Sequence, residues 1–262
     1  DLWGTDHCPG YGSAAKYICT SIMEVYHDAG VYETGAVTIF EIMGRNAGWL
    51  TASSALARIN GGSDPDLIYL CEIDFDNDKF IQDVKKKQAV KPGLLVVVSE
   101  GIKYKDGSYV SDSMSSGAVD NFGHKYIAGA ARALEQLIRK EIGCKVRSIE
   151  LNLMQRAAAH IASETDIIES VMIGQKAFDC VVNGETGKMA AIKRLSDDPY
   201  HVEFISVPVS EVANHEKTVP LNWITPEGND VTEDMMAYLR PLIIGETNLK
   251  YKNGIPKHYK LY

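Results

Sequence analysis

Residues 37–62 read VTIFEIMGRNAGWLTASSALARINGG. Residues 37–43 are rich in β-branched and apolar side chains and predict a strand, Gly44 permits a turn, and the alanine-rich 47–59 predict a helix that Asn60-Gly61-Gly62 ends. A strand that turns directly into a helix leaves the first helical N–H groups unpaired at the carboxyl edge of a sheet. That is a place for anions or hydroxyls, and Arg45 stands in the turn. Glu41 is the one charge inside the strand.

Outward from this unit, buried-type strands are predicted at 66–73 (DLIYLCEI, ending in Glu72), 94–98 (LLVVV, followed by Ser99-Glu100-Gly101) and 148–154. Helical patterns lie at 75–90, 127–143 and 165–183. An earlier helix follows Ser13, a candidate cap, with Ile18, Ile22, Val25 and Tyr26 on one face. Strands alternating with helices predict an α/β fold, a largely parallel sheet flanked by helices with ligands at the carboxyl ends of its strands. Residues 103–124 are the longest expected loop, a mobile surface excursion. A last strand is expected at 202–207, and a tail carrying Pro208, Pro220, Pro226, Pro241 and Pro256 is expected to lie largely over the surface.

The chain has 262 residues, 45% of them hydrophobic, and a net charge of −8, which argues against nonspecific binding to nucleic acid or anionic membrane. No apolar run reaches membrane-spanning length. Cys8, Cys19, Cys71, Cys144 and Cys180 are dispersed without ligand spacing and read as reduced thiols of a cytoplasmic protein. With no nucleophile nearby, His7 and His27 read as polar loop or helix-surface residues, and His160 as packing. Asp166, near a helix start, complements that helix dipole. Arg147 and Arg156 flank the 148–154 strand, and two guanidinium groups on one wall suit a phosphate dianion.

In order along residues 1–188, GTDHCPGYGSAAKYI, EIMGRNAGW, LIYLCE, VVVSEGI, LMQR and SETD resemble the phosphofructokinase family, most nearly its bacterial pyrophosphate-dependent branch. The resemblance implies magnesium-dependent transfer of a phosphoryl group to the C1 hydroxyl of fructose 6-phosphate in glycolysis. It implies that Met43, Gly44, Arg45 and Glu72 hold the sugar. Arg147 and Arg156 would hold its 6-phosphate, Arg147 across a subunit boundary, with Leu153, Met154 and Gln155 in the segment that ends at Arg156. Cys71 stands where the family usually has proline, and Leu153 where relatives often carry His or Tyr. Asp1 would sit near the Mg2+. The family's proton-accepting aspartate and glycine-rich donor loop fall upstream of Asp1, so a truncated chain, inactive alone, is expected.

The same resemblance divides the chain into an incomplete two-domain arrangement. Residues 1–11 and 156–205 would be a remnant of the phosphate-donor domain, 12–155 the fructose 6-phosphate-binding domain, and 206–262 a C-terminal extension. A homo-oligomer, dimer or tetramer, is expected, with pyrophosphate or ATP as donor. ATP-dependent tetramers carry an arginine nine residues before the turn arginine. Ala36 occupies that position here, which favours pyrophosphate. The alternatives are an ATP-dependent enzyme and a noncatalytic regulatory sugar-phosphate-binding chain of the same fold.

Overall fold

The computed structural model describes residues 2–29, 35–114 and 129–257. Strands β1 (Ala36–Ile42), β2 (Leu67–Tyr69), β3 (Gly93–Ser99) and β4 (Lys145–Glu150) form one parallel sheet in the order β2-β3-β1-β4. The helices are α1 (Tyr11–Ala29), α2 (Trp49–Ala52), α3 (Asn77–Gln88), α4 (Ala130–Glu141), α5 (Met154–Ala157) and α6 (Glu164–Val182).

Successive strand residues face opposite ways, so the sheet carries two cores. Phe40, Ile42, Ile68, Leu95 and Val97 pack with α1 and the 3-10 turn Ser53–Arg58, whereas Val37, Ile39, Leu67, Leu94, Val96 and Val98 pack with α3 and α4. Burial on both faces is why these strands read as continuous apolar runs. Glu41 falls on the α4 side and is buried there. It accepts the main-chain N–H groups of Gly129 at 3.1 Å and Ala131 at 2.8 Å, at the open start of α4. Burial is the largest influence on its carboxyl and pushes it up to about 7.

Several expectations are corrected. The helix expected at 47–59 is the single turn of α2 followed by the 3-10 turn. The strand expected at 148–154 runs from Lys145 to Glu150, because Asn152 takes φ 42° and turns the chain into α5. Ser13 is not a cap, since α1 starts at Tyr11 and Ser13 Oγ instead donates to Asp166. Asp166 also accepts Gly10 N at 2.7 Å and Ser13 N at 3.1 Å, so it serves the start of α1. Its own helix is capped by Ser163.

Beyond α6 the chain forms a hairpin of β5 (Lys188–Asp197) and β6 (Tyr200–Pro208), of which only the second strand was expected. The tail is not only a surface layer: Val209, Leu221, Ile244, Tyr251 and Ile255 are exposed, but Val219, Met235, Leu239 and Leu242 are buried in the core that α1 shares. Residues 103–114 turn back through a bridge between Lys103 and Tyr109 and bury Val110 and Ser111, while 115–124 of the expected loop lie outside the described residues. All five cysteines are free thiols. Among the described residues no helix is long and apolar enough to cross a membrane.

Candidate active site

β1 ends at Ile42, and Met43-Gly44-Arg45 turns beside the end of β3. Gly44 sits at φ 146°, and a Cβ there would lie 2.5 Å from the carbonyl oxygen of Ala47. A Cβ at Gly101 would lie 1.9 Å from the carbonyl oxygen of Arg45. Only glycine lets the two segments approach so closely. Two hydrogen bonds fix them together: Ser99 Oγ donates to Gly44 O at 2.6 Å, and Gly44 N donates to Glu100 Oε1 at 3.1 Å. The turn is therefore seated on Ser99-Glu100-Gly101 rather than hanging from β1 alone.

Over this seat opens a cleft of about 550 Å³, lined by Met43, Gly44, Arg45, Glu100 and Arg156 and also by Asp6, His7, Trp49, Lys217 and Tyr238. Burial raises the Glu100 carboxyl, opposed by the Gly44 N–H and by the charges of Arg45 and Arg156. Two guanidinium groups beside a half-buried carboxylate can hold a phosphate and, through the carboxylate, accept a hydroxyl proton in a hydrogen bond.

Of the residues expected from sequence, the cleft brings together Met43, Gly44, Arg45 and Arg156. Glu72 does not line it. Its Oε1 accepts Gly48 N and Val219 N, each at 2.9 Å, so the chain's own carboxylate fills the helix start at which an anion was expected. Leu153 and Met154 are exposed, and Gln155 is buried with neither amide atom partnered among the described residues. None of the three lines the cleft. Arg147 lies on β4 at the sheet edge, in register with Thr38, half exposed and 3.2 Å from Asp28. Asp1 lies outside the described residues.

Sequence reasoning did not single out Glu100, although SEGI marked its stretch, and it read His7 as a polar loop or helix-surface residue. His7 is buried, with Nε2 2.6 Å from Glu169 Oε2, and Tyr200 donates its hydroxyl to Glu169 Oε1 at 2.6 Å. Nothing local to His7 announces Glu169, which lies on α6. Lys217 and Tyr238 come from the supposed surface tail. Among the described residues no three His, Cys, Asp or Glu side chains gather as a metal site.

Residues 1–210 match the family model described as Phosphofructokinase. The chain belongs to the phosphofructokinase family. The pyrophosphate–fructose 6-phosphate 1-phosphotransferase of Halomonas elongata is 41% identical over 263 aligned residues, which span 100% of this chain and 62% of that protein. Its counterpart in Xanthomonas campestris pv. campestris is 38% identical, with 63% of that protein covered. The crystal structure of pyrophosphate-dependent phosphofructokinase from Marinobacter aquaeolei matches with a TM-score of 0.84 at 34% identity, over 98% of this chain and 60% of that one. This phosphofructokinase-family chain thus spans about three-fifths of the length of those relatives, and its α/β fold matches that of the Marinobacter aquaeolei structure.

Proposed function

We propose that the chain carries the sugar-phosphate half of a pyrophosphate-dependent 6-phosphofructokinase. The reaction is transfer of a phosphoryl group from pyrophosphate to the C1 hydroxyl of fructose 6-phosphate, giving fructose 1,6-bisphosphate and phosphate. The P–O–P bond breaks, the C1–O–P bond forms, and the hydroxyl proton passes to a base. Such transfers depend on positioning and charge neutralisation. The observation that carries the proposal is that Arg45, Arg156 and Glu100 line one cleft beside the glycine turn at the carboxyl end of the sheet. The two most similar relatives named above bear the name of the pyrophosphate enzyme, which supports that donor.

We assign the sugar to Met43, Gly44 and Arg45, with Glu100 in place of Glu72 as the acceptor for a sugar hydroxyl. Arg156 holds the 6-phosphate. Arg147, exposed on the edge strand, serves the site of a neighbouring copy in a homo-oligomer. We keep the proton acceptor as the aspartate that the family places two residues before the position of Asp1, and Asp1 as the residue near magnesium. The metal supplies charge neutralisation at the phosphates. We retain 12–155 as the sugar-binding unit, 1–11 and 156–205 as donor-side segments, and 206–262 as an extension, now one that builds part of the cleft. The reaction belongs to cytoplasmic glycolysis.

Calorimetric titration of the chain with fructose 6-phosphate and with fructose tests the proposal. Fructose 6-phosphate is expected to bind and fructose to give no measurable heat. Equal binding of the two, or none by a folded chain, would contradict it.

A further inference from the structure

Lys217 lines the cleft but lies beyond residues 1–210, the part that matches the family model. Its backbone is held on both sides. Glu216 forms an antiparallel bridge with Leu2 and accepts Asn46 Nδ2 at 2.5 Å. Trp49 Nε1 donates to the Lys217 carbonyl at 2.6 Å, and Val219 N donates to Glu72. Residues 216–219 therefore strap the segment around Leu2 to the turn and helix that follow β1.

The ammonium group is held less firmly. Nζ donates to the carbonyls of Asp6 at 3.1 Å and Thr5 at 3.2 Å, with Asp6 Oδ1 at 3.4 Å, and it lies 5.6 Å from the centre of the Trp49 ring. The side chain keeps 27% of its exposure. Neutral carbonyls are weak partners for an ammonium compared with phosphate oxygens, and a four-carbon stem can redirect it without moving the strap. The cations also divide by neighbour. Arg45 and Arg156 bear on Glu100, whereas Lys217 pairs with Asp6.

We propose that Lys217 is a binding residue for the phosphoryl donor, taking oxygens of inorganic pyrophosphate on the Asp6 side of the cleft while Arg45 and Arg156 hold the sugar phosphate. The proposal rests on the sugar-phosphate assignment above. It differs from a purely structural clamp on Thr5 and Asp6, because a clamp responds to no ligand.

Residue-resolved lysine acylation of the 262-residue chain, read by mass spectrometry, separates the two. Pyrophosphate at several times its Kd is expected to slow acylation of Lys217 by about fivefold, while fructose 6-phosphate, or sulfate at matched ionic strength, changes it by less than about twofold. No protection by pyrophosphate, equal protection by sulfate, or protection by the sugar phosphate alone would overturn the proposal. In calorimetry, Lys217→Met is expected to weaken pyrophosphate about tenfold and Lys217→Arg by less than about threefold, with fructose 6-phosphate affinity unchanged in both. Unaltered pyrophosphate affinity in Lys217→Met would also overturn it. If Lys217→Met does not fold, the acylation experiment on the unmodified chain decides. Failure of the unmodified chain to bind fructose 6-phosphate would count against the sugar assignment, and the pyrophosphate arm would still decide the role of Lys217.

Discussion

Gly44 donates its main-chain N–H to Glu100 Oε1 at 3.1 Å, which sets a strand-end carboxylate directly against the Met43-Gly44-Arg45 turn. Glu72, at the end of the next strand but one, is spent on Gly48 N and Val219 N. Glu100→Ala is therefore expected to weaken fructose 6-phosphate about tenfold, the loss of one charged hydrogen bond. Glu72→Ala leaves two amides without their acceptor. It is expected to lower stability by about 1–3 kcal/mol in urea titration and to leave the affinity of the folded protein within about twofold.

Glu41 makes stability depend on pH. Its carboxyl titrates near 7 in the folded chain against an ordinary 4.5, so between those values the folded state binds more protons than the unfolded one. This contribution to stability is present below about pH 4.5 and declines as pH rises to about 7, by at most about 1.4 kcal/mol per pH unit. The difference between the unmodified chain and Glu41→Gln in urea titrations across that range isolates it. A difference independent of pH would contradict the assignment.

His7 and Glu169 tie the loop before α1 to α6, with Tyr200 completing the carboxylate's partners. His7→Ala removes one of two strong hydrogen bonds from a buried carboxylate and is expected to cost about 2–3 kcal/mol. Glu169→Gln is expected to cost less, because its amide can still meet both partners. Thermal unfolding followed by circular dichroism ranks the two. A His7→Ala variant as stable as the parent would mean that the pair holds nothing.

Gly101→Ala would place a methyl group against the Arg45 carbonyl and force the Met43-Gly44-Arg45 turn off its seat. Fructose 6-phosphate binding is expected to fall at least about tenfold even at a temperature where circular dichroism shows the variant folded. Gly107→Ala, where an added Cβ meets nothing although φ is 84°, serves as the control and is expected to retain affinity.

The sheet was legible because β1 and β3 are apolar on both faces, and the turn was legible because Met43-Gly44-Arg45 and Ser99-Glu100-Gly101 are short and chemically distinctive. The choice between Glu72 and Glu100 was not, because both acids end parallel strands on the same edge. Only the strand order, which makes β3 and not β2 the neighbour of β1, decides which one meets the turn. The tail misled for a different reason. Its prolines mark turns, whereas its buried residues sit in pieces as short as the helix Glu233–Leu239, too brief to show a period. His7 was unreadable for want of any local sign of a partner on α6.

Arg156 is the residue on which the sugar-phosphate claim rests most directly, since it is the one member of the Leu153–Arg156 segment that reaches the cleft. Calorimetric titration of fructose 6-phosphate into the chain and into Arg156→Ala is the measurement that tests it. Binding by the parent that falls at least about thirtyfold in the variant, about 2 kcal/mol, is the expected result for removal of a charged phosphate contact. Equal affinity in the two proteins would contradict the site.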